Sequence, residues 1–184
     1  MATPSNGPEE TVLTASTMFG LIAAAAVTFG AAGAYAQTAK AALKDATGKD
    51  VGTVRLIQTP HGVLLRMSLK GVPAGERAFH IHAVGKCEPP FTSAGGHFNP
   101  AGKKHGVEAK EGSHAGDMPN LFVPANGELT VDVVNHMITL AKGQSNSVFD
   151  ADGSAIVIHA GPDDYKSDPT GNAGDRIVCG VITE

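Results

Sequence analysis

In residues 63–69 every second position is apolar, at Val63, Leu65, Met67 and Leu69. A period of two residues places such side chains on one face of a β-strand. Similar short apolar runs recur along the chain, and its 23 glycines and 11 prolines indicate many turns between them. The pattern therefore predicts an all-β domain. The predicted strands are two within residues 51–73, joined by a turn at 60–62, and one each in 77–84, 128–134, 137–141, 154–160 and 177–182.

Two long segments lack this periodicity. Residues 85–127 are rich in Gly, Pro, His and Lys, and residues 161–176 form a second irregular stretch. Loops of this length are unusual inside a compact domain and are normally functional. A chain of 184 residues is long enough for one domain with a real core. We therefore expect a β-sandwich or flattened barrel as the scaffold, with two long functional loops that carry the chemistry.

The N-terminal segment has the pattern of an export signal. The first 39 residues contain no Lys or Arg, and an apolar run ends in Ala34-Tyr35-Ala36. Small residues at these positions are typical of signal-peptide cleavage, here before Gln37. Glu9 and Glu10 precede the apolar run where basic residues are expected, which leaves a retained membrane anchor as the alternative. We therefore expect residues 1–36 to be a signal peptide and residues 37–184 to be the domain, exported to the periplasm or the extracellular space.

Charge and cysteine content are consistent with this prediction. The formal net charge of −4 does not favour a nucleic acid or an anionic membrane surface as a partner. The two cysteines, Cys87 and Cys179, are 92 positions apart. In an exported chain an even pair of cysteines is typical of a disulfide, with two buried free thiols as the alternative.

The stretch "AFHIHAVGKC" places two histidines one residue apart. In a strand, His80 and His82 lie on the same face, while Phe79 and Ile81 point the other way into the core. One interpretation is a solvated strand face with two ordinary histidines. The other is half of a metal site, and the remaining histidines distinguish the two.

Three more histidines and an aspartate fall within 21 residues of the first loop: His97, His105, His114 and Asp117. Imidazoles with one carboxylate suit a four-coordinate zinc site, which can order a loop that lacks secondary structure. His159 ends the strand in residues 154–160. Together with His80 and His82 it predicts a second, all-imidazole site, which suits copper.

Six motifs now combine at consistent spacing: "FHIHAVGKC", "GGHFNP", "KKHG", "SHAGDMPN", "IVIHAGPDDY" and "GNAGDRIVCGVI". Over residues 38–184 the chain resembles copper/zinc superoxide dismutases, most closely the exported bacterial branch. The resemblance implies a Greek-key β-sandwich or flattened eight-stranded barrel. It also implies dismutation of the substrate superoxide to oxygen and hydrogen peroxide, in a monomer or a homodimer.

The resemblance implies a role for each matched residue. Copper is bound by His80, His82, His97 and His159, and zinc by His97, His105, His114 and Asp117. His97 is therefore shared between the metals, and it carries a proton in the catalytic cycle. Asp163, with Asp164 as the alternative, joins a copper histidine to a zinc histidine, and Cys87 pairs with Cys179.

Arg176 is implied beside the copper channel, where its charge attracts superoxide, with Thr170 forming the other wall. Lys166 is expected to add positive charge to the same cleft. His61 and His136 match no motif, and we expect neither to bind metal. The alternative function is a metal carrier without turnover, which would not need both the copper histidines and the channel arginine.

Overall fold

The computed structural model describes residues 1, 2, 7 and 37–184. Apart from those three positions, the predicted signal peptide over residues 1–36 lies outside the described residues. Residues 37–184 fold into β-strands and loops, as the sequence pattern predicted. In the part of the chain that the structure describes, no helix is long and apolar enough to cross a bilayer.

The described residues form nine strands in two sheets. Seven strands make one curled antiparallel sheet in the order β5-β8-β9-β1-β2-β3-β7, and β4 pairs with β6. The strands are β1 (Thr38–Asp45), β2 (Asp50–Thr59), β3 (Gly62–Lys70), β4 (Gly75–Arg77), β5 (Phe79–His82), β6 (Leu121–Val123), β7 (Glu128–Asn135), β8 (Ala155–His159) and β9 (Arg176–Thr183).

Strands β4 and β5 are two halves of one extended segment. Only Ala78 separates them, and the first half pairs with β6 whereas the second pairs with β8. Counted as one segment, residues 75–82 bring the number of extended segments to the eight expected for the barrel. The backbone of Ala78 does not have a positive φ, so an alanine is accommodated at this junction without strain.

The core lies on the concave side of the large sheet. In β3 the alternation seen in the sequence is reproduced as burial, because Val63, Leu65, Met67 and Leu69 are all almost completely inaccessible to solvent. Removing such side chains from water is the main force that holds the sheet in its curled form. The sheet in turn provides a rigid frame from which the loops project.

Residues 137–141 are not a strand, so this prediction was wrong. Ile138 and Leu140 are buried at a period of two, as in a strand, but Thr139 makes only an isolated bridge to Ser147. The side chain of Gln58 accepts hydrogen bonds from the Leu140 backbone N–H and the Thr139 hydroxyl instead. The Gln58 side chain and the loop backbone at Asn146 and Val148 therefore replace a neighbouring strand as the partners of this segment.

Two strands were not predicted. Strand β1 lies in the middle of the sheet between β2 and β9, but its buried face is mostly alanine, at Ala39 and Ala41, which gives a weak apolar signal. Strand β6 has only three residues and lies within the first irregular segment. Both form because their backbone groups find partners that are distant in the sequence.

A disulfide joins the first loop to the last strand. Cys87 and Cys179 are bonded, as the sequence predicted, and Cys179 is buried in β9. The bond packs in a small apolar cluster with Phe91, Ala94, Ala155 and Val157. Because this loop has little regular structure, the covalent link restricts where its first part can lie.

We expect a Cys87→Ser, Cys179→Ser double variant to be less stable by up to about 4–5 kcal/mol, because the bond removes loop-closure entropy from the unfolded chain. This corresponds to a melting temperature about 10 °C lower. Calorimetry of the oxidised wild type and the variant measures this difference in melting temperature. Alkylation of two thiols in unreduced, folded wild type would contradict the bond itself.

Candidate metal centre

Two groups of potential metal ligands meet at His97. In each group, one ligand atom per residue lies within 4.8 Å of the others. His80 and His82 come from β5, His159 ends β8, and His97 follows a 3-10 turn in the first loop. The first group is His80, His82, His97 and His159, and the second is His97, His105, His114 and Asp117.

The four-histidine group presents one unpaired ring nitrogen from each member. These atoms are His80 Nδ1, His82 Nε2, His97 Nε2 and His159 Nε2, and in the described part of the chain they are buried without a hydrogen-bond partner. Buried polar atoms without partners are costly. Four converging imidazole lone pairs would be satisfied by a bound metal ion, and this all-nitrogen set fits copper.

The remaining nitrogens of the three strand histidines are held by oxygen atoms. His80 Nε2 donates to Asp163 Oδ2 at 2.7 Å, His82 Nδ1 to the Gly95 carbonyl at 2.9 Å and His159 Nδ1 to the Gly174 carbonyl at 3.2 Å. Each bond keeps a proton on the outer nitrogen and leaves the inner nitrogen with a free lone pair. The protein itself thereby selects the tautomers that bind metal.

The second group is arranged around one carboxylate oxygen. Asp117 Oδ1 lies 2.9 Å from His97 Nδ1, 3.1 Å from His105 Nδ1 and 3.2 Å from His114 Nδ1. Its other oxygen, Oδ2, accepts the backbone N–H groups of Gly106 and His114. Three imidazole nitrogens and one carboxylate oxygen are a typical tetrahedral zinc set, so the second group fits zinc.

Asp163 links the two groups, as the sequence predicted for one of the two adjacent aspartates. Its Oδ2 accepts from His80 and its Oδ1 accepts from His105 Nε2 at 2.9 Å. Asp163 is buried, whereas Asp164 is exposed and caps backbone N–H groups within the second loop. The structure therefore places Asp163, rather than Asp164, between His80 of the first group and His105 of the second.

Burial keeps three histidines of the copper group, His82, His97 and His159, neutral. It lowers the pKa of His82 to about 2, of His159 to about 3 and of His97 to about 4, and the charges of neighbouring histidines add to the effect. For Asp117, burial alone would raise the pKa, but hydrogen bonds from His114 and His97 bring it below its ordinary value. At neutral pH the site therefore offers imidazole lone pairs and a carboxylate anion, the forms that bind metals.

Arg176 lies near the copper group. It opens β9, its Nη1 donates to the Phe91 carbonyl at 2.8 Å, and its charge contributes to the lowered pKa of both His82 and His159. Thr170 is exposed in the second loop, where its backbone N–H donates to the Ser167 carbonyl and its own carbonyl accepts from Ala173. Lys166 is exposed and paired with Glu108 at 2.9 Å.

Some residues that hold the site were not found from the sequence. The carbonyls of Gly95 and Gly174 orient copper-group histidines, but any residue has a backbone carbonyl, so no sequence signal marks them. Asn120 accepts the Asp163 N–H and donates to its carbonyl, both at 2.9 Å. Its position three residues after Asp117, in "SHAGDMPN", is the one available signal. His61 and His136 lie outside both ligand groups.

Known proteins resemble this chain over most of its length. The family model described as copper/zinc superoxide dismutase (SODC) matches residues 51–182. Superoxide dismutase (Cu-Zn) 2 of Aquifex aeolicus strain VF5 is 56% identical over 146 residues, covering 78% of this chain and 85% of the relative. Superoxide dismutase (Cu-Zn) of Caulobacter vibrioides is 44% identical over 148 residues, covering 79% and 85%.

Solved structures show the same fold. A SOD-like protein from Bacillus subtilis matches with a TM-score of 0.75 at 41% identity, covering 77% of this chain and 96% of that chain. A Cu/Zn superoxide dismutase from Brucella abortus matches with a TM-score of 0.65 at 28% identity, covering 79% and 99%. The curled antiparallel barrel is therefore shared with these proteins.

We expect Asp117→Ala to lose most of its zinc and to melt at a lower temperature, because zinc binding contributes folding free energy to a loop with little structure of its own. Copper should be partly retained, since Asp117 belongs only to the second group. Elemental analysis measures the zinc and copper contents, and thermal unfolding measures the melting temperature. Asp132→Ala, on exposed strand β7, is the control; full zinc occupancy in Asp117→Ala would show that the zinc site lies elsewhere.

Proposed function

Since this chain belongs to the copper/zinc superoxide dismutase family, we propose which of its residues bind each metal. The chain is an enzyme that converts superoxide to oxygen and hydrogen peroxide, and it uses copper and zinc. The copper ligands are His80, His82, His97 and His159, and the zinc ligands are His97, His105, His114 and Asp117. The observation that carries the assignment is the set of four buried, unpaired nitrogens, one from each copper histidine.

His97 lies between the two sites, and we propose that it takes up a proton and passes it to peroxide. Bound copper supplies the one-electron redox change that turns one superoxide into oxygen and the next into peroxide. The Nδ1 atom of His97 faces the zinc group, while its Nε2 faces the copper group without a partner. Because Nδ1 is held on the zinc side, Nε2 is the ring atom that can take up a proton and release it toward peroxide.

Arg176 is the proposed docking residue for superoxide. It is partly buried, and its bond to the Phe91 carbonyl holds the guanidinium in position. The start of β9 and the disulfide at Cys179 hold its backbone. A fixed guanidinium presents two donors to a small anion. Local charge of this kind can attract superoxide to a protein whose net charge is −4.

We further propose that residues 1–36 are a signal peptide removed before Gln37, and that the enzyme acts in the periplasm or the extracellular space. The apolar segment that ends at Ala36 supports this, and the disulfide and bacterial relatives indicate an exported protein. Mass spectrometry of the intact exported enzyme tests it. A chain that begins at Gln37 is expected, and a membrane-bound chain that keeps residues 1–36 would show an anchor instead.

We expect His159→Ala to abolish dismutation and to lose copper while the fold and zinc persist, because His159 contributes to the copper group alone. A superoxide-consumption assay, elemental analysis and circular dichroism measure the three properties. His136→Ala, which alters an exposed histidine outside both groups, should behave as wild type. Wild-type turnover in His159→Ala would refute the copper assignment.

We expect Arg176→Glu to lower kcat/KM for superoxide about tenfold or more at unchanged copper content, because it replaces attraction of the anion by repulsion. Arg176→Lys should do less harm, since it keeps the charge but loses the two-point contact. The wild-type rate should fall with added salt, which screens this attraction. Pulse radiolysis at several ionic strengths measures the rates.

Arg66→Glu is the matched control, because Arg66 is an exposed arginine on β3 that pairs with Asp132. It makes the same change in net charge away from the site. If Arg66→Glu and Arg176→Glu reduce the rate equally, net charge rather than local docking governs the reaction.

A further inference from the structure

In the proposed ligand sets, one histidine has no hydrogen-bond partner for the ring nitrogen that faces away from the metal, here called its outer nitrogen. A metal-bound histidine ordinarily donates its second ring N–H to a carboxylate, a carbonyl or water, which fixes the ring. His80 and His105 donate to Asp163, and His82 and His159 donate to backbone carbonyls. The two ring nitrogens of His97 face the two ligand groups, Nδ1 the zinc group and Nε2 the copper group, so His97 has no outer nitrogen. Within residues 37–184, only His114 has an outer nitrogen, Nε2, that makes no hydrogen bond with protein atoms.

The carboxylate that faces this nitrogen belongs to Asp168. Its Oδ1 lies 3.9 Å from His114 Nε2 and accepts the backbone N–H of His105 at 2.7 Å. The Asp168 side chain is 42% exposed and that of His114 is 7% exposed. One carboxylate on the second loop therefore faces two of the proposed zinc ligands at the most accessible side of the zinc group.

We propose that Asp168 is a positioning residue of the zinc site: it holds His105 through the backbone and completes the outer contact of His114. This inference rests on the proposed zinc ligand set. When His114 Nδ1 binds zinc, the ring proton is on Nε2, which points toward Asp168. A separation of 3.9 Å is bridged by one water molecule or closed by a small rotation of a half-exposed side chain. Either way the carboxylate fixes the ring plane and raises the basicity of Nδ1.

The second loop thus contributes two carboxylates to the centre. Asp163 is buried and accepts hydrogen bonds from the outer nitrogens of His80 and His105. Asp168 is partly exposed and lies beside His114. The loop backbone packs directly on the first of these carboxylates, because a Cβ on Gly171 would lie only 2.0 Å from Asp163 Oδ1. The consequence is that zinc release depends on the second loop, although no residue of that loop is a proposed zinc ligand.

The test measures zinc dissociation from the folded, metal-loaded enzyme into an excess of chelator. Asp168→Ala removes both contacts and should release zinc about tenfold faster or more, the usual effect of losing an outer partner. Asp168→Asn keeps an oxygen for the His105 N–H but loses the charge that faces His114, so its rate should lie between those of Asp168→Ala and wild type. Copper content should stay unchanged in both variants.

Asp164→Asn is the matched control. Asp164 is an exposed carboxylate of the same loop that caps the N–H groups of Lys166 and Ser167, and it contacts no histidine of the described chain. Its substitution loosens the loop without altering the zinc group. Protein loaded with Co(II) at the zinc site adds a second readout, because the visible absorption of Co(II) should shift in Asp168→Ala and not in Asp164→Asn.

The outcomes separate this inference from the proposed function. If wild type takes up no zinc at the second group, the ligand assignment is wrong and this inference falls with it. If wild type binds zinc normally but both Asp168 variants release it within twofold of the wild-type rate, only the role of Asp168 is refuted. The same conclusion follows if Asp164→Asn releases zinc as fast as Asp168→Ala.

Discussion

The unpaired nitrogens of buried imidazoles are the constraint on which the rest of the structure depends. Six histidines lie against one another with almost no exposure to solvent, and four of them present nitrogens that no protein group satisfies. Burial lowers the pKa of His82, His97 and His159, so these three rings do not avoid the cost by taking up protons near neutral pH. A bound metal ion would remove this cost, and we therefore expect metal loading to stabilise the folded loops.

The loops keep their shape through a few long-range links rather than through secondary structure. The disulfide ties the start of the first loop to β9, Asp163 connects a strand histidine to a loop histidine, and Asn120 fastens the backbone of Asp163. Each link joins segments that are far apart in the sequence. The curled sheet supplies the fixed points, because β5, β8 and β9 lie side by side and carry His80, His159 and Arg176 to one region.

The surroundings of Arg176 support the proposal that this residue attracts an anionic substrate to an acidic protein. The sheet places one partly buried arginine beside the copper group, and its guanidinium is held by a backbone carbonyl rather than by a carboxylate. Its charge is therefore not cancelled by a paired anion. Two exposed cations differ from Arg176 in this respect, since Lys166 is paired with Glu108 and Arg66 with Asp132. Position and pairing matter more than the sum of charges.

The sequence alone predicted the fold class and the disulfide, which the structure confirms, and it predicted the ligands that we propose, because residue types and their spacing carry these signals. Alternating apolar residues predict strands, as in β3, and histidines at motif spacing predict the ligands. The alternation in residues 137–141 was misleading, since Gln58 rather than a strand pairs with that backbone. Only the tertiary structure decided between Asp163 and Asp164, oriented the rings through the Gly95 and Gly174 carbonyls, and brought Asp168 beside His114. These choices depend on distances between segments separated in sequence, which no local pattern records.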